Sequence, residues 1–187
     1  MRPDWWQLQQ AAAILAAGGI VAHATEAVWG LACDPWQEDA VMALLAVKDR
    51  PWEKGLILIA ASPDWLAGPL AELPERKRQQ VLDSWPGANT WLLPNPGFPP
   101  WITGRYSKVA VRVPGHAQAR ALCRAAGGFL VSTSANRAGR PPARTDLVLR
   151  LHLGADIDYV LAGRTGGGRA PSRIRDAETG VELRAGG

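Results

Sequence analysis

Lys48-Asp49-Arg50-Pro51-Trp52-Glu53-Lys54-Gly55 sets three cations within seven residues, between two apolar runs. Pro51 stiffens the chain, so Lys48 and Arg50 stand on a restrained loop, as a clamp for phosphate or carboxylate needs. A solvated turn whose cations pair with Asp49 or Glu53 would use the same residues. Ser132-Thr133-Ser134-Ala135-Asn136 follows the apolar Phe129-Leu130-Val131 and offers four hydrogen-bonding side chains in five residues. Small hydroxyls and an amide present donors and acceptors without bulk, which suits close approach to a ribose, a phosphate or a zwitterion. The third cluster, Thr25-Glu26, comes straight after Ile20 to Ala24. Taken alone it reads as a helix N-cap with an early acidic residue.

Several familiar devices are absent. No GxxxxGK[ST] occurs, and Gly163 to Gly168 (GRTGGG) fits neither that phosphate loop nor GxGxxG, so a Walker-type ATPase is excluded. Gly166-Gly167-Gly168-Arg169 reads as a mobile turn, with a phosphate lid as its functional alternative. Cys33 and Cys123 form no CxxC pair, and His23, His116 and His152 are scattered. Neither a disulfide framework nor an all-protein metal cage is indicated, a reducing compartment fits, and any metal arrives with substrate.

The charge is lopsided. Residues 1 to 100 hold 7 basic and 11 acidic groups, whereas residues 101 to 187 hold 14 and 6, and 17 of the 21 cations are Arg. A basic, Arg-rich C-terminal half suits an anionic partner such as a nucleotide or nucleic acid, although an Arg-rich proteome would give the same count. The apolar stretch Ala11 to Ala24 imitates a signal peptide. Asp4, Gln7, Gln9, Gln10 and the Gly18-Gly19 break argue against one, and a cytoplasmic protein without a membrane span is expected.

The elements that must position these clusters follow from length and period. With 187 residues, 47% hydrophobic and 20% charged, the chain is expected to be one domain with a real core, and 35 Gly and Pro residues predict short elements joined by tight turns. Asp4 caps a helix over 5–17 with Leu8, Ala11, Ala12 and Leu15 at helical spacing. Strand 20–24, helix 39–47, strand 55–61, a short helix from Ser62, and a helix from Pro74 to Trp85 come next. Strands 89–93 and 108–113 flank a Pro- and Gly-rich excursion that reads as a surface loop. Helix 115–126, strand 129–132, helix 145–153 and strands near 157–161, 173–176 and 181–184 finish the chain. Alternation of this kind predicts an α/β fold with a partly parallel sheet and ligands at the carboxyl ends of its strands. Trp29, Trp85 and Trp91 sit in apolar contexts and are expected in the core.

In order, HATEAVWGL, KDRPWEKGLILIAA, SWPGANTWLLP, KVAVRVPGH, LVSTSANRAGRPP and PSRIRDAETG strongly resemble the YrdC-like family of threonylcarbamoyl-AMP synthases, from about Ala11 to Leu183. Lys-x-Arg-Pro-x-x-Lys-Gly before a strand and Ser-x-Asn later on are its most specific parts. The resemblance implies an open twisted mixed sheet with helices around it and a large cationic cavity, in the short bacterial, single-domain form. It also implies that threonine, bicarbonate and ATP become threonylcarbamoyl-adenylate and pyrophosphate, the first step of the t6A modification of tRNA, with Mg2+ accompanying ATP and the product passing to a threonylcarbamoyl-transfer machinery. For that reaction Lys48 and Arg50, stiffly spaced before GLILIAA, are the expected catalytic clamp on the α-phosphate, and by the resemblance Arg50, Lys54, Ser132, Ser134 and Asn136 line the nucleotide side while Thr25, Arg112 and Ser172 lie near threonine or the adenylate. His23-Ala24 stands where the family has an aromatic-Pro pair, Ala27 where many relatives have a second Thr, Lys108 where a small hydroxyl is usual, and Arg173 where many have Thr. The alternative is an RNA-binding or ribosome-maturation module, whose basic residues would be spread over a surface rather than converging on a pocket. For the synthase, weak tRNA binding at most is expected.

Overall fold

The computed structural model describes residues 4–168 and 170–186. α1 (Trp5–Ala16) starts at Asp4, whose carboxylate accepts from the Gln7 N–H at 2.8 Å while the Gln7 amide oxygen accepts from the Asp4 N–H. This reciprocal cap satisfies two orphan donors at once. β1 (Val21–Ala24) turns directly into β2 (Trp29–Cys33), so Thr25 and Glu26 lie in a hairpin connection and cap no helix. β2 escapes sequence reasoning because WGLAC is buried at every position, which erases the alternation of a half-exposed strand, and because Gly30 and Ala32 carry little β propensity.

α2 (Glu38–Val47) buries Ala40, Val41, Leu44 and Leu45 and stops where Asp49 takes a left-handed φ of 50° ahead of Pro51. A 3₁₀ turn, Trp52–Lys54, leads into β3 (Ile57–Ile59), shorter than the apolar run that announces it. A second 3₁₀ turn capped by Ser62 precedes α3 (Ala67–Ala71), and α4 (Glu75–Asp83) begins after Pro74. Between β4 (Asn89–Pro94) and β5 (Lys108–Arg112) the Pro- and Gly-rich stretch is more than a surface loop. It contains α5 (Pro100–Thr103), and Phe98, Ile102 and Thr103 are buried. α6 (Ala117–Ala126) ends on Gly127 at φ 73°, a position that favours glycine. β6 (Leu130–Ser134), α7 (Asp146–Leu153), β7 (Tyr159–Val160), β8 (Arg173–Asp176) and β9 (Glu182–Arg184) follow. Because β6 runs to Ser134, the second cluster's hydroxyls sit on the strand itself rather than beyond it.

The described strands form a single open sheet in the order β7-β1-β2-β6-β3-β5-β4-β8-β9. The β1–β7, β3–β5 and β4–β8 pairs are parallel and the other neighbours antiparallel, a mixed α/β sheet. α1 and α6 bury Ala11, Leu15 and Leu122 against Val21, Ala32 and Ile59 on one side of the sheet, while α2 brings Val41 and Leu44 to the larger core with Leu31, Leu58 and Val111. Trp29, Trp85 and Trp91 are all buried there. Burial of such side chains supplies roughly 1.5–3 kcal/mol each before entropy is counted, and this is what holds the polar clusters in register.

Gly104 fastens α5 to the clamp-bearing turn. Arg105 N–H donates to the Glu53 carbonyl at 3.2 Å and Leu56 N–H to that of Ile102 at 2.8 Å. Gly104 has φ 64°, and a Cβ there would stand 2.5 Å from the Gly55 nitrogen. Gly104→Ala should lower stability by roughly 2 kcal/mol or more. Urea unfolding should show a reduced midpoint, and an unchanged midpoint would mean that this contact yields freely.

Candidate active site

The sheet brings the three clusters round one cavity of about 190 Å³. Thr25 directly follows β1, Ser134 ends β6 and Arg112 ends β5, so carboxyl ends of strands do supply the wall. Arg50, Ser132 and Ser172 line it as well. Lys48, Lys54 and Asn136 are not among the lining residues. Sequence reasoning missed Arg184 on β9, which lines the cavity from an edge strand where no neighbouring motif marks it.

Three guanidinium groups thus face the same space, each tied to the protein at one edge. Arg50 Nη2 donates to the Gly55 carbonyl at 2.8 Å. Arg184 donates to the Ser172 carbonyl through Nε at 3.0 Å and Nη2 at 2.7 Å, and through Nη2 to Ser172 Oγ at 3.1 Å. Ser172 Oγ in turn lies 2.8 Å from Thr90 Oγ1. Arg112 Nη2 pairs with Glu26 at 3.1 Å, and the other Glu26 oxygen accepts from Gly115 N–H at 2.7 Å. The Nε–H groups of Arg50 and Arg112 are buried without a partner, donors aimed at no protein acceptor. Burial lowers the pKa of Arg184, and the positive charges of Arg112 and Arg50 lower it further, so the three feel one another. Glu26 is the single carboxylate among the described residues that line the cavity. The balance at its wall is therefore cationic, and an anion bound there would relieve the repulsion.

The hydroxyls are equally committed. Thr25 Oγ1 donates to the Val28 carbonyl at 2.7 Å, and Ser134 Oγ donates to Asn136 Oδ1 at 2.6 Å. Asn136 Nδ2 donates to the carbonyls of Arg137 and Arg140, so this amide folds its own loop instead of reaching into the cavity. Lys48 is only 5% exposed and gives its ammonium to the carbonyls of Ser134 and, at 2.9 Å, Asn136. It braces the α2 end against the β6 end rather than presenting itself to solvent. Burial, assisted by the Arg50 charge, lowers the Lys48 pKa to about 8. Lys54 is exposed on the 3₁₀ turn, with its carbonyl 3.5 Å from Arg50 Nη2.

The glycine run is no free turn. Gly166 N–H donates to the Thr25 carbonyl at 3.0 Å and Gly168 N–H to that of Glu26 at 2.7 Å. A Cβ at Gly168 would meet the Glu26 carbonyl at 3.0 Å, so glycine lets the strap lie flat on the hairpin turn. Arg169, the cation of the alternative lid reading, lies outside the described residues. Lys108 pairs with Asp176 at 2.7 Å and with Glu178, and Arg173 with Glu182 at 3.2 Å, so neither of these departures from the family pattern enters the cavity. Ala27 does line it.

Burial pulls the His23 pKa down from 6.5 to about 4, leaving the ring neutral in the folded protein at pH 7. The unfolded chain takes up that proton first, so the stability contributed by His23 is full above pH 6.5 and drains away as pH falls toward 4. A depression of that size corresponds to about 3 kcal/mol at the acid end. Unfolding free energies measured from pH 7 to pH 4 should therefore fall more steeply for the wild type than for His23→Phe. Parallel profiles would show that the ring titrates normally.

Residues 13–186 match the Sua5/YciO/YrdC family model, described as "Telomere recombination". A threonylcarbamoyl-AMP synthase of Stutzerimonas stutzeri is 51% identical over 96% of this chain and 97% of its own length. The enzyme of that name from Stenotrophomonas maltophilia is 52% identical over 95% and 97%. The crystal structure of P. abyssi Sua5 complexed with L-threonine superposes with a TM-score of 0.92 at 31% identity, covering all of this chain and 56% of that one. With the family match running over nearly its whole length and half its residues shared with such relatives, the chain belongs to the Sua5/YciO/YrdC family.

Proposed function

We propose that this protein is a threonylcarbamoyl-AMP synthase, which joins L-threonine, bicarbonate and ATP into threonylcarbamoyl-adenylate and releases pyrophosphate. The observation that carries the reading is the convergence of Arg50, Arg112 and Arg184 on one cavity that Thr25, Ser132 and Ser134 also line. The threonine amine and bicarbonate give an N-carboxylate and water. A carboxylate oxygen then attacks the α-phosphorus, the new C–O–P link forms and the bond to the pyrophosphate oxygen breaks. Nucleophile and electrophile are both anions, so the step needs fixed positive charge in a shielded place more than it needs a base. Arg50 and Arg112 supply it from the cavity wall. Lys48 acts from behind, holding the Ser134–Asn136 corner against the end of α2.

Magnesium enters on the triphosphate. Glu26 is already engaged by Arg112 and Gly115, and no group of three or more His, Cys, Asp or Glu able to hold a metal occurs among the described residues. The described residues offer no cage of their own, and the ion would be held by phosphate oxygens and water. An RNA module without catalysis is the weaker reading, because these three arginines converge on a small cavity instead of forming an outer track. No helix among the described residues is long and apolar enough to cross a membrane.

Pyrophosphate release should require threonine, bicarbonate and ATP together and proceed without tRNA. Arg50→Ala should slow it by about 10²-fold, on the order of 3 kcal/mol, with the melting temperature nearly unchanged. Release that ignores the omission of threonine or bicarbonate, or tight tRNA binding with no product, would overturn the reading.

A further inference from the structure

His23 is a fully buried imidazole on β1, two strands away from Ser132 on β6. Their side chains meet all the same, with His23 Nε2 3.2 Å from Ser132 Oγ. The strand between them makes this possible. His23 is paired across with Gly30 of β2, and Gly30 with Ser134 of β6, while Ser132 lies two residues along β6 on the same face. A Cβ at Gly30 would stand 3.1 Å from His23 Nε2 and 3.4 Å from Ser132 Oγ, so glycine opens the gap through which ring and hydroxyl touch.

The other ring nitrogen sets the direction of that contact. His23 Nδ1 lies 3.2 Å from the Ala24 carbonyl, which can only accept, so Nδ1 carries the hydrogen. Burial keeps the ring neutral, with a pKa lowered to about 4. Nε2 then has a lone pair and no hydrogen, and Ser132 must donate to it. Thr25 and Ser134 have likewise given their hydroxyl hydrogens to Val28 and Asn136.

We infer that His23 is a positioning residue that takes the Ser132 hydroxyl hydrogen and thereby presents Ser132 Oγ to the cavity as an acceptor, selecting a hydroxyl or amine of the substrate there and turning its anionic groups toward the arginines. The inference rests on the synthase reading, in which two sources offer that chemistry: the ribose of ATP and the amine or hydroxyl of threonine. It names one shared recognition event, and the kinetics separate the sources.

His23→Phe keeps the ring's bulk and removes both hydrogen bonds. It should raise the KM of one substrate, ATP or threonine, by about fivefold or more while leaving the KM of the other and kcat close to wild type. His23→Gln, whose amide oxygen can accept from Ser132, should restore most of the loss. In a Ser132→Ala background the His23→Phe change should add nothing. Loss of kcat with both KM values unmoved, or an undiminished effect of His23→Phe in Ser132→Ala, would make His23 merely structural and overturn the inference. Long-range 1H–15N spectra of the wild-type histidine rings at pH 7 test the pair without any turnover. A hydrogen on Nδ1 and none on Nε2 of His23 is expected, and a hydrogen on Nε2 would refute the inference even if no variant folds. A wild type that makes no adenylate, yet shows the expected ring spectrum, would instead fault the synthase reading alone.

Discussion

Crowding of positive charge is the constraint that organises the site, because the Arg50, Arg112 and Arg184 guanidinium groups line one small cavity whose single carboxylate among the described residues is Glu26, and Arg184 feels the charges of the other two. Such an arrangement survives only if each cation is anchored where it does not need to be neutralised. Arg50 leans on the Gly55 carbonyl, Arg184 on the Ser172 carbonyl and Arg112 on Glu26. Each tie uses part of a fork with five donors and leaves the rest directed inward. Anionic substrates entering the cavity relieve that repulsion, which is the electrostatic preorganisation that an adenylation between two anions requires.

Holding those anchors still is the task of the sheet. β6 lies between β2 and β3, and its carboxyl end is braced by the buried Lys48 ammonium, whose own element ends in the left-handed Asp49 turn that leads to Arg50. One short segment thus supplies both a brace and a cavity-lining cation. On the other flank the Gly166 and Gly168 N–H groups hold the strap to Thr25 and Glu26, fixing the turn from which Glu26 reaches Arg112. Hydroxyls and arginines of the cavity alike are held by carbonyls and neighbouring side chains, as Thr25 is by Val28 and Arg184 by Ser172.

Much of this was legible from residue types. The gathering of Thr25, Arg50, Arg112, Ser132, Ser134 and Ser172 round one cavity is what the family resemblance implied, while the order of most helices and strands and the capping by Asp4 have local signatures. Three features did not. β2 has no alternation because it is buried on both faces. Arg184 sits on an edge strand among exposed residues, and only the tertiary arrangement brings it near Arg112. The direction of Lys48 was hidden as well, since Lys-x-Arg-Pro fixes a spacing along the chain but not which cation is spent on β6 carbonyls and which lines the cavity. His23 is a similar case, for its contact with Ser132 depends on a glycine in a strand whose existence the pattern conceals.

The central claim, that an N-carboxylate made from bicarbonate is what the arginine-lined cavity delivers to the α-phosphorus, is tested most directly by nuclear magnetic resonance of the product formed from 13C-bicarbonate, threonine and ATP. The account predicts a labelled carbonyl split by coupling to a single phosphorus, the signature of a C–O–P link built from bicarbonate carbon. Pyrophosphate release accompanied by an unlabelled adenylate, with threonine's own carboxylate joined to phosphorus, would contradict it.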